Sequence, residues 1–439
     1  DASSSTIKLA DHYKSVFIIS CANYKMFLKA PTLRVPSRWF SIAAQLQQAL
    51  KVDFDNKYLV IKDGQKSMKF PSVWLRDNCQ CSECYHPEAK SRKINWIHFD
   101  TNVKIKEASV LGDGHGIKVD YSDQHSSTFD LKWLQYREFS KENQSRHLHE
   151  VYRPNYATWG KNEFEKICLY FEFNELMQSD KSLTEWLQAL AVRGVVMIKN
   201  APLDENTVNK LIDRVGFVRR TPYGVNFIVQ ARPLPNNYAY LSTLLQLHTD
   251  QPYAEYKPSV NFLHTVVQSE SAGGENLLVD GYHVAERIRS EYPECFKILT
   301  ETVVDWNDIQ EEEGRLYHQI FRSPVICLDK EGNYTRVNYS VPQRDSHFTV
   351  ELEKVIPWYE AMAKFVQLIH EEAVSFKTTP GDIITFNNIR LLHGRTAYED
   401  TANNVRYIVG AYMDWDIIYS KLRLLKGSIE KHMTEVVSE

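Results

Sequence analysis

The chain of 439 residues has no apolar run near the roughly 18 residues that a membrane-spanning helix requires. It also lacks an excess of positive charge, because 52 Lys and Arg face 56 Asp and Glu and give a formal net charge of −4. Nucleic-acid binding normally needs a basic stripe, so neither a membrane nor a nucleic acid is an expected partner. A small-molecule ligand is the favoured alternative.

Two groups of catalytic motifs are also missing. No GxGxxG or P-loop pattern surrounds the pair Gly273-Gly274, which is therefore interpreted as a turn rather than a phosphate cradle. No convincing Ser/His/Asp triad or activated cysteine is present. With 43% hydrophobic and 12% aromatic residues the chain is nevertheless typical of a globular protein, and its length predicts two domains.

The seven cysteines are too few and too unevenly placed for a disulfide framework. Three of them, Cys79, Cys81 and Cys84, fall within six positions and offer three thiolates in one tight loop. A fourth ligand from a distant strand would close a tetrahedral structural zinc site. A closed site has no open position for chemistry, so we assign it to the folding of its domain.

Composition and pattern divide the chain into three parts. Residues 1–49 form an N-terminal extension that is rich in Lys and Arg, as in a mitochondrial presequence, but has no clear amphipathic repeat. Residues 50–142 contain short alternating stretches separated by turn signals and predict a small β domain. The third part, 143–439, begins in a charge-rich stretch near 140–161 that is interpreted as a connector.

The third part is predicted to be mainly strand, a jelly roll supported by helices. Apolar periodicity places helices at 182–192, 284–301 and 352–375 and a buried strand at Val195–Lys199. A further helix is expected from about Glu205 to Arg214, with Asp204 as its N-cap.

His248 and Asp250 lie two positions apart, so on an extended strand end their side chains point to the same side. Far downstream, a turn at Pro380-Gly381-Asp382 precedes a strand-like segment and then His393. Two His and one carboxylate form the facial triad of non-haem iron(II) oxygenases, which leaves positions open for a bidentate 2-oxo acid and dioxygen. The HxD spacing alone is weak, because solvated His and Asp are common.

Arg406 strengthens the assignment of an iron(II) and 2-oxo acid site. It stands among apolar residues, where a buried charge needs a partner. The far carboxylate of 2-oxoglutarate is a suitable partner because the planar guanidinium binds carboxylates bidentately. The alternative is an exposed arginine on an edge strand.

Four longer stretches carry recognisable motifs: Trp74-Leu75-Arg76-Asp77-Asn78-Cys79 through Cys84, Ala272-Gly273-Gly274 through Val279-Asp280-Gly281, Arg390-Leu391-Leu392-His393-Gly394-Arg395, and Gly410-Ala411-Tyr412 through Asp414-Trp415-Asp416. Together they span roughly residues 50 to 427. They resemble the γ-butyrobetaine and trimethyllysine hydroxylase family of Fe(II)/2-oxoglutarate oxygenases. The resemblance implies a double-stranded β-helix preceded by a small zinc-binding domain.

The resemblance also implies roles for individual residues. His125 becomes the fourth zinc ligand, with His86 and His98 as alternatives nearer to the cysteines. An aromatic cage for a quaternary ammonium group maps onto Tyr223, Phe227, Tyr240 and Tyr412, and carboxylate-binding amides map onto Asn237, for the cosubstrate, and Asn338, for the substrate. Phe227 departs from the vertebrate members, which have Trp there, so a weaker cage or a different substrate is expected.

The implied reaction is hydroxylation of γ-butyrobetaine to L-carnitine, with dioxygen consumed and 2-oxoglutarate converted to succinate and CO2. Ascorbate is the expected reductant, and the expected enzyme is a cytoplasmic homodimer. The basic N-terminus makes mitochondria the alternative location. Rival interpretations are hydroxylation of trimethyllysine or of another betaine, and a zinc-bearing interaction protein that has lost catalysis. The intact set His248, Asp250, His393 and Arg406 argues against the last.

Overall fold

A computed structural model describes residues 50–231, 237–312, 314–401 and 404–427. The predicted N-terminal extension, 1–49, lies outside the described residues. Within the described ranges, no helix combines the length and the hydropathy needed to cross a bilayer.

A small N-terminal β domain precedes the larger one, as predicted. Its two three-stranded antiparallel sheets, β1-β2-β3 and β6-β7-β8, share one apolar core that includes Leu59, Phe70 and Phe129. The strands are β1 (Lys51–Phe54), β2 (Tyr58–Asp63), β3 (Lys66–Pro71), β4 (Tyr85–His86), β5 (Ser91–Arg92), β6 (Ile105–Val110), β7 (Gly116–Tyr121) and β8 (Ser126–Asp130). Helices α1 (Ser72–Asp77) and α2 (Leu131–Tyr136) and a 3-10 turn (Trp96–His98) complete the domain.

The larger domain is built on two sheets. The first has six strands in the order β11-β22-β13-β20-β10-β9, and the second has four in the order β12-β21-β14-β19. These strands are β9 (Leu169–Glu172), β10 (Val195–Lys199), β11 (Asn226–Val229), β12 (Leu245–His248), β13 (Val260–Val267), β14 (Asn276–Asp280), β19 (Val374–Phe376), β20 (Ile383–Asn387), β21 (Leu391–Arg395) and β22 (Tyr407–Met413). Two hairpins are separate from both sheets: β15 (Val304–Glu312) with β16 (Arg315–Ser323), and β17 (Ile326–Leu328) with β18 (Tyr334–Val337).

Helices cover the outer faces of both sheets, as the apolar periodicity predicted. One apolar cluster packs α6, α7 and α11 on the six-stranded sheet, and another packs α8, α9 and α10 beside the four-stranded sheet. The helices are α3 (Lys141–Arg146), α4 (Phe164–Ile167), α5 (Phe173–Gln178), α6 (Asp180–Arg193), α7 (Thr207–Val215), α8 (Gly281–Glu291), α9 (Pro293–Glu301), α10 (Leu352–Glu371) and α11 (Trp415–Leu425), with a π-helical turn at His147–Tyr152 and 3-10 turns at Lys161–Glu163 and Tyr238–Tyr240.

The mainly β architecture with flanking helices is confirmed, and the two layered sheets agree with the predicted double-stranded β-helix. The boundaries at 49, 142 and 143 stay predictions.

Three local predictions are wrong. The helix expected at 284–301 is two helices, because Pro293 has no N–H to continue the first and begins the second. The helix expected to reach Ser375 ends at Glu371, and the following residues enter β19.

Asp204 is not the N-cap of α7. Asn206 occupies that position, and the Asp204 carboxylate instead accepts the Asn206 amide in a local turn. The stretch near 140–161 contains α3, which the Ser140 side chain caps, and its interpretation as a connector stays a prediction.

Candidate active site

A cavity of about 340 Å³ lies between the two sheets of the larger domain. Side chains from β13, β20 and β22 line one side, and side chains from β12, β14 and β21 line the other. Its lining includes nine of the ten residues predicted to bind iron, cosubstrate or substrate. These are Tyr223, Phe227, Asn237, Tyr240, His248, Asp250, His393, Arg406 and Tyr412, and the tenth, Asn338, is absent from the lining.

The predicted iron ligands are brought together by the pairing of β12 with β21. His248 at the end of β12 lies opposite His393 on β21, and their ring centroids are 4.3 Å apart. The Oδ1 atom of Asp250 lies 3.3 Å from His248 Nε2 and 3.6 Å from His393 Nε2. All three side chains thus present one ligand atom to a common point.

These spacings fit an octahedral metal ion. Two donor atoms about 2.1 Å from a metal and at a right angle to each other are about 3.0 Å apart, close to the two observed separations. A metal at this point would have its remaining positions directed into the cavity, because the three ligands lie in its lining. The donor set, two imidazoles and one carboxylate, is the set that iron(II) oxygenases use.

Asp250 is held by contacts that the sequence did not reveal. Its Oδ2 atom accepts hydrogen bonds from Asn261 Nδ2 at 2.6 Å and from the Tyr412 hydroxyl at 2.9 Å. The Asn388 side chain accepts from the Asp250 amide and donates to the Asp250 carbonyl oxygen. Oδ1 is therefore the oxygen left to face a metal.

Both histidines are suited to metal binding. His248 Nδ1 lies 2.8 Å from the Gln246 carbonyl oxygen, so donation from Nδ1 leaves the Nε2 lone pair for a metal. Burial lowers the pKa of His393 to about 3, which keeps this ring neutral. Burial alone would raise the pKa of Asp250, but His393, His248 and the Tyr412 hydroxyl hold it well below its usual range.

Arg406 precedes β22 and is buried, as predicted, and it lines the cavity. Its Nε atom has no hydrogen-bond partner among the described residues. Burial and the neighbouring Arg395 lower the pKa of Arg406 to about 10, so the side chain stays charged at neutral pH. Among the described residues no carboxylate pairs with Arg406, and a buried cation in this state fits a ligand that carries a carboxylate.

The four predicted cage residues all line the cavity, but they differ in what they contact. Phe227 stacks on Tyr412 with ring centroids 4.8 Å apart. This packing requires glycine at position 410, because a Cβ atom there would lie 2.1 Å from the Phe227 ring. Tyr412 therefore has two roles, as an aromatic wall and as a donor to Asp250.

Asn237 and Asn338, the two predicted carboxylate-binding amides, lie in different surroundings. Asn237 lines the cavity, where its Nδ2 donates to the Tyr223 hydroxyl at 2.8 Å. Asn338 is fully buried outside the cavity lining, where it accepts from Lys257 Nζ and donates to Ser323 Oγ. The structure does not support the predicted substrate contact of Asn338, because its amide groups are engaged in the protein interior.

Several cavity residues were missed from the sequence. Gln251 follows Asp250 with φ of 51°, a left-handed conformation that is rare for a residue with a side chain. Tyr253 and Asp308 also line the cavity, and Asn261 and Asn388 hold Asp250. Asn261 is one of three polar residues in β13, with His264 and Thr265, so the strand pattern alone did not single it out, and nothing local in the sequence distinguished Asp308.

The cysteine loop forms a second cluster, in the small N-terminal domain. His125 Nε2 lies 3.3 Å from Cys79 Sγ, 3.6 Å from Cys81 Sγ and 3.5 Å from Cys84 Sγ. Thiolate and imidazole ligands of a tetrahedral zinc ion are roughly 3.6 Å apart, so the four side chains fit that ion. Neither His86 nor His98, the two alternatives, belongs to the cluster.

Two protein-family models match the chain. Residues 153–412 match the taurine catabolism dioxygenase TauD, TfdA family, and residues 43–135 match the N-terminal domain described as γ-butyrobetaine hydroxylase-like. The first match covers the two-sheet domain with its cavity, and the second covers the cysteine cluster.

Similar proteins agree with these matches. The γ-butyrobetaine dioxygenase of Homo sapiens is 36% identical over 89% of this chain and 99% of its own length. The γ-butyrobetaine dioxygenase of Pseudomonas sp. strain AK-1 is 29% identical, over 83% and 92%. The trimethyllysine dioxygenase of Meyerozyma guilliermondii is more distant, at 27% over 86% and 95%. The chain therefore belongs to the γ-butyrobetaine dioxygenase family, within the TauD-type Fe(II)/2-oxoglutarate-dependent dioxygenases.

Proposed function

We propose that this protein hydroxylates γ-butyrobetaine to L-carnitine and consumes 2-oxoglutarate and dioxygen in the process. The observation that carries the proposal is the set of residues that line a single cavity. This lining includes the candidate triad, several tyrosines, and a buried arginine whose Nε has no hydrogen-bond partner among the described residues. The similarity to γ-butyrobetaine dioxygenases over 89% of the chain supports this choice of substrate.

His248, Asp250 and His393 would hold the iron. Iron(II) and 2-oxoglutarate together activate dioxygen, and the oxo acid becomes succinate and CO2 while one oxygen atom enters the substrate. The protein contributes placement. Asn261 and Tyr412 fix the orientation of the Asp250 carboxylate, and the Gln246 carbonyl oxygen fixes the His248 ring.

Arg406 would bind the far carboxylate of 2-oxoglutarate. Arg406 and Tyr412 are six positions apart on one extended segment, so their side chains share a face of the sheet. Tyr412 contacts Asp250, and Arg406 reaches into the same cavity from the other end of the strand. A cosubstrate held by Arg406 would therefore lie between the arginine and the triad.

The trimethylammonium group of γ-butyrobetaine cannot accept or donate a conventional hydrogen bond and is best surrounded by aromatic faces. Tyr223, Tyr240, Phe227 and Tyr412 supply such faces around the cavity. Asn237 is engaged with the Tyr223 hydroxyl, so we assign it to orienting that ring as well as to contact with a bound carboxylate.

We further propose that Cys79, Cys81, Cys84 and His125 bind a structural zinc ion. The site would be closed, with all four positions supplied by the chain. Arg76 donates to Cys84 Sγ and pairs with Asp123 at 2.8 Å, which adds support around the thiolates. A homodimeric state, a cytoplasmic location and the use of ascorbate as reductant remain predictions.

The test is a product assay. Purified protein is loaded anaerobically with iron(II) and 2-oxoglutarate, oxygen is admitted, and succinate is followed by mass spectrometry with γ-butyrobetaine or trimethyllysine in parallel. Succinate matched by carnitine is the expected result. Succinate matched by hydroxytrimethyllysine alone would transfer the assignment to the trimethyllysine reaction, and no substrate-dependent succinate would refute both.

A further inference from the structure

Asp308 is an acidic residue of the cavity lining that takes no part in the proposed iron, cosubstrate or cage contacts. It lies on β15, in the β15-β16 hairpin that is separate from both sheets. Its side chain lines the same cavity as the triad, near Tyr223, Tyr253 and Gln343. The hairpin therefore contributes one negative charge to the cavity wall.

The Asp308 carboxylate lacks a cationic partner. Its Oδ2 atom is buried and has no hydrogen-bond partner among the described residues. Its Oδ1 atom accepts a long hydrogen bond of 3.5 Å from Gln343 Nε2. Within the described ranges, no Lys, Arg or His forms an ion pair with it. A half-buried carboxylate in this state is costly unless a ligand supplies the missing charge.

The pKa shifts around Asp308 agree with a carboxylate that lacks a cationic partner. Burial raises the pKa of Asp308, although the Gln343 amide and the Tyr253 hydroxyl favour its charged form. Burial also raises the pKa of Tyr223, and the second cause is the charge of Asp308, which places the carboxylate near this ring. A cation bound beside these rings would offset the burial of the carboxylate.

The cavity lining carries charges of both signs, with Arg395 and Arg406 positive and Asp250 and Asp308 negative. The groups that shift the pKa of Arg406 through their charge are Arg395 and Tyr398, and Asp308 is not among them. Asp308 therefore does not neutralise Arg406. An anionic cosubstrate would be attracted to Arg406 and a cationic group to Asp308.

We infer that Asp308 is the charge partner of the substrate's quaternary ammonium group and determines the preference for a cationic substrate. The inference rests on the proposed function, because it assumes a quaternary ammonium substrate. The tyrosine rings provide contact area and cation-π attraction, and Asp308 provides the net charge that the rings lack. The Gln343 amide and the Tyr253 hydroxyl are the neutral groups that interact with the Asp308 carboxylate.

The experiment compares two ligands of nearly equal shape. γ-Butyrobetaine has a positively charged nitrogen where 5,5-dimethylhexanoate has a neutral carbon. Binding of each to protein loaded anaerobically with iron(II) and 2-oxoglutarate is measured by calorimetry, for wild type and for Asp308→Asn. The variant removes the charge and keeps the shape. We expect at least about a tenfold loss of affinity for γ-butyrobetaine and little change for the neutral ligand, because only the cation loses a Coulomb partner.

Further variants separate this role from a structural one. Asp308→Glu keeps the charge and should retain most of the preference for the cation. Glu294→Gln removes an exposed acidic charge from α9 and should change neither affinity. Equal losses for both ligands, or no loss for γ-butyrobetaine, in an Asp308→Asn protein that melts like wild type would overturn the assignment.

Failure of the proposed function has a different signature. If wild type makes no carnitine, the proposed reaction fails, and Asp308 is then tested with tetramethylammonium as the probe. Weaker binding of tetramethylammonium to Asp308→Asn than to wild type would still support the charge partner. The absence of binding to both proteins would overturn it. A loss for trimethyllysine without a loss for γ-butyrobetaine would also overturn it, because it would place Asp308 against the α-ammonium group.

Discussion

The two metal-type clusters of this protein differ in what surrounds them. The cysteine cluster supplies four ligands, a complete tetrahedral set, in a small domain. The His248, Asp250 and His393 cluster supplies three ligands and lies in the wall of a cavity of about 340 Å³. The number of protein ligands thus separates a structural site from a catalytic one, since only the incomplete set leaves room for reactants.

The clusters also differ in how the chain builds them. Three of the four zinc-type ligands lie within six positions, in the loop that follows α1. Among the iron-type ligands, His248 ends β12, Asp250 lies two residues beyond it, and His393 on β21 is brought to His248 only by the pairing of β12 with β21. Damage to the first cluster should therefore act through folding, and damage to the second should act through turnover.

The largest expected effect is the loss of activity in His248→Ala. Removal of one of three iron ligands should lower carnitine formation by at least about a thousandfold, because the remaining two ligands hold iron weakly. Thermal melting should stay close to that of wild type, since His248 lies at a strand end beside the cavity. His318→Ala, an exposed histidine on the β15-β16 hairpin, is the control. Preserved turnover in His248→Ala would remove this ligand assignment.

The second prediction addresses the closed cluster. Cys84→Ser should reduce the zinc content from about one ion per chain to near zero and destabilise the N-terminal domain by several kcal/mol, because metal binding contributes directly to folding. The measurements are zinc content by mass spectrometry and thermal unfolding. Cys295→Ser, at a cysteine of α9 outside the cluster, should change neither. A zinc-free Cys84→Ser protein with the melting curve of wild type would contradict the structural role.

A third and smaller effect is expected at Tyr412. Tyr412→Phe keeps the aromatic ring but removes the hydroxyl that donates to Asp250 Oδ2, while Asn261 still donates to the same atom. Loss of one such contact to a metal ligand should weaken iron binding by roughly tenfold. The iron affinity is measured by titration, and turnover is the second readout.

The control for Tyr412→Phe is Tyr334→Phe, since the buried Tyr334 hydroxyl has no hydrogen-bond partner among the described residues. Its iron affinity should equal that of wild type. If Tyr412→Phe also binds iron as wild type does, Asn261 alone is enough to orient Asp250.

The sequence predicted the parts of both sites that follow from local spacing or from motifs. The cysteine loop and the His248-x-Asp250 pair are short patterns whose chemistry depends on adjacent residues. The mainly β fold followed from strand-like stretches that alternate with amphipathic helices. Pro293 is a helix breaker, but the apolar periodicity continues across it and therefore predicted a single helix.

The rest depends on tertiary packing. Asp308 enters the cavity because a hairpin turns toward it, and Asn338 leaves it because Lys257 and Ser323 engage its amide. Neither result follows from the residues adjacent to these positions in sequence. The candidate reaction centre therefore follows from the sequence more directly than the positions of Asp308 and Asn338, which depend on the fold.

The smallest predicted effect concerns Phe227, where the family resemblance led us to expect Trp. Phe227→Trp should improve affinity for γ-butyrobetaine by about two- to fivefold, because Trp is the strongest cation-π partner and the gain at such a site is about 0.5–1 kcal/mol. The change also requires space, since the Phe227 ring already occupies the position of a side chain at Gly410 and stacks on Tyr412. Calorimetric affinity and the KM for 2-oxoglutarate are the two measurements.

The outcome of Phe227→Trp separates attraction from packing. A gain for the cation with no change for its neutral isostere and an unchanged KM for 2-oxoglutarate would identify Phe227 as a cage wall whose strength is set by its ring. Phe217→Trp, at an exposed position, is the control and should alter neither value. Weaker binding of both ligands would instead mean that the larger ring displaces Tyr412. In that case Phe227 is in this chain because it fits against Gly410, and the charge of Asp308 has to supply more of the preference for a cation.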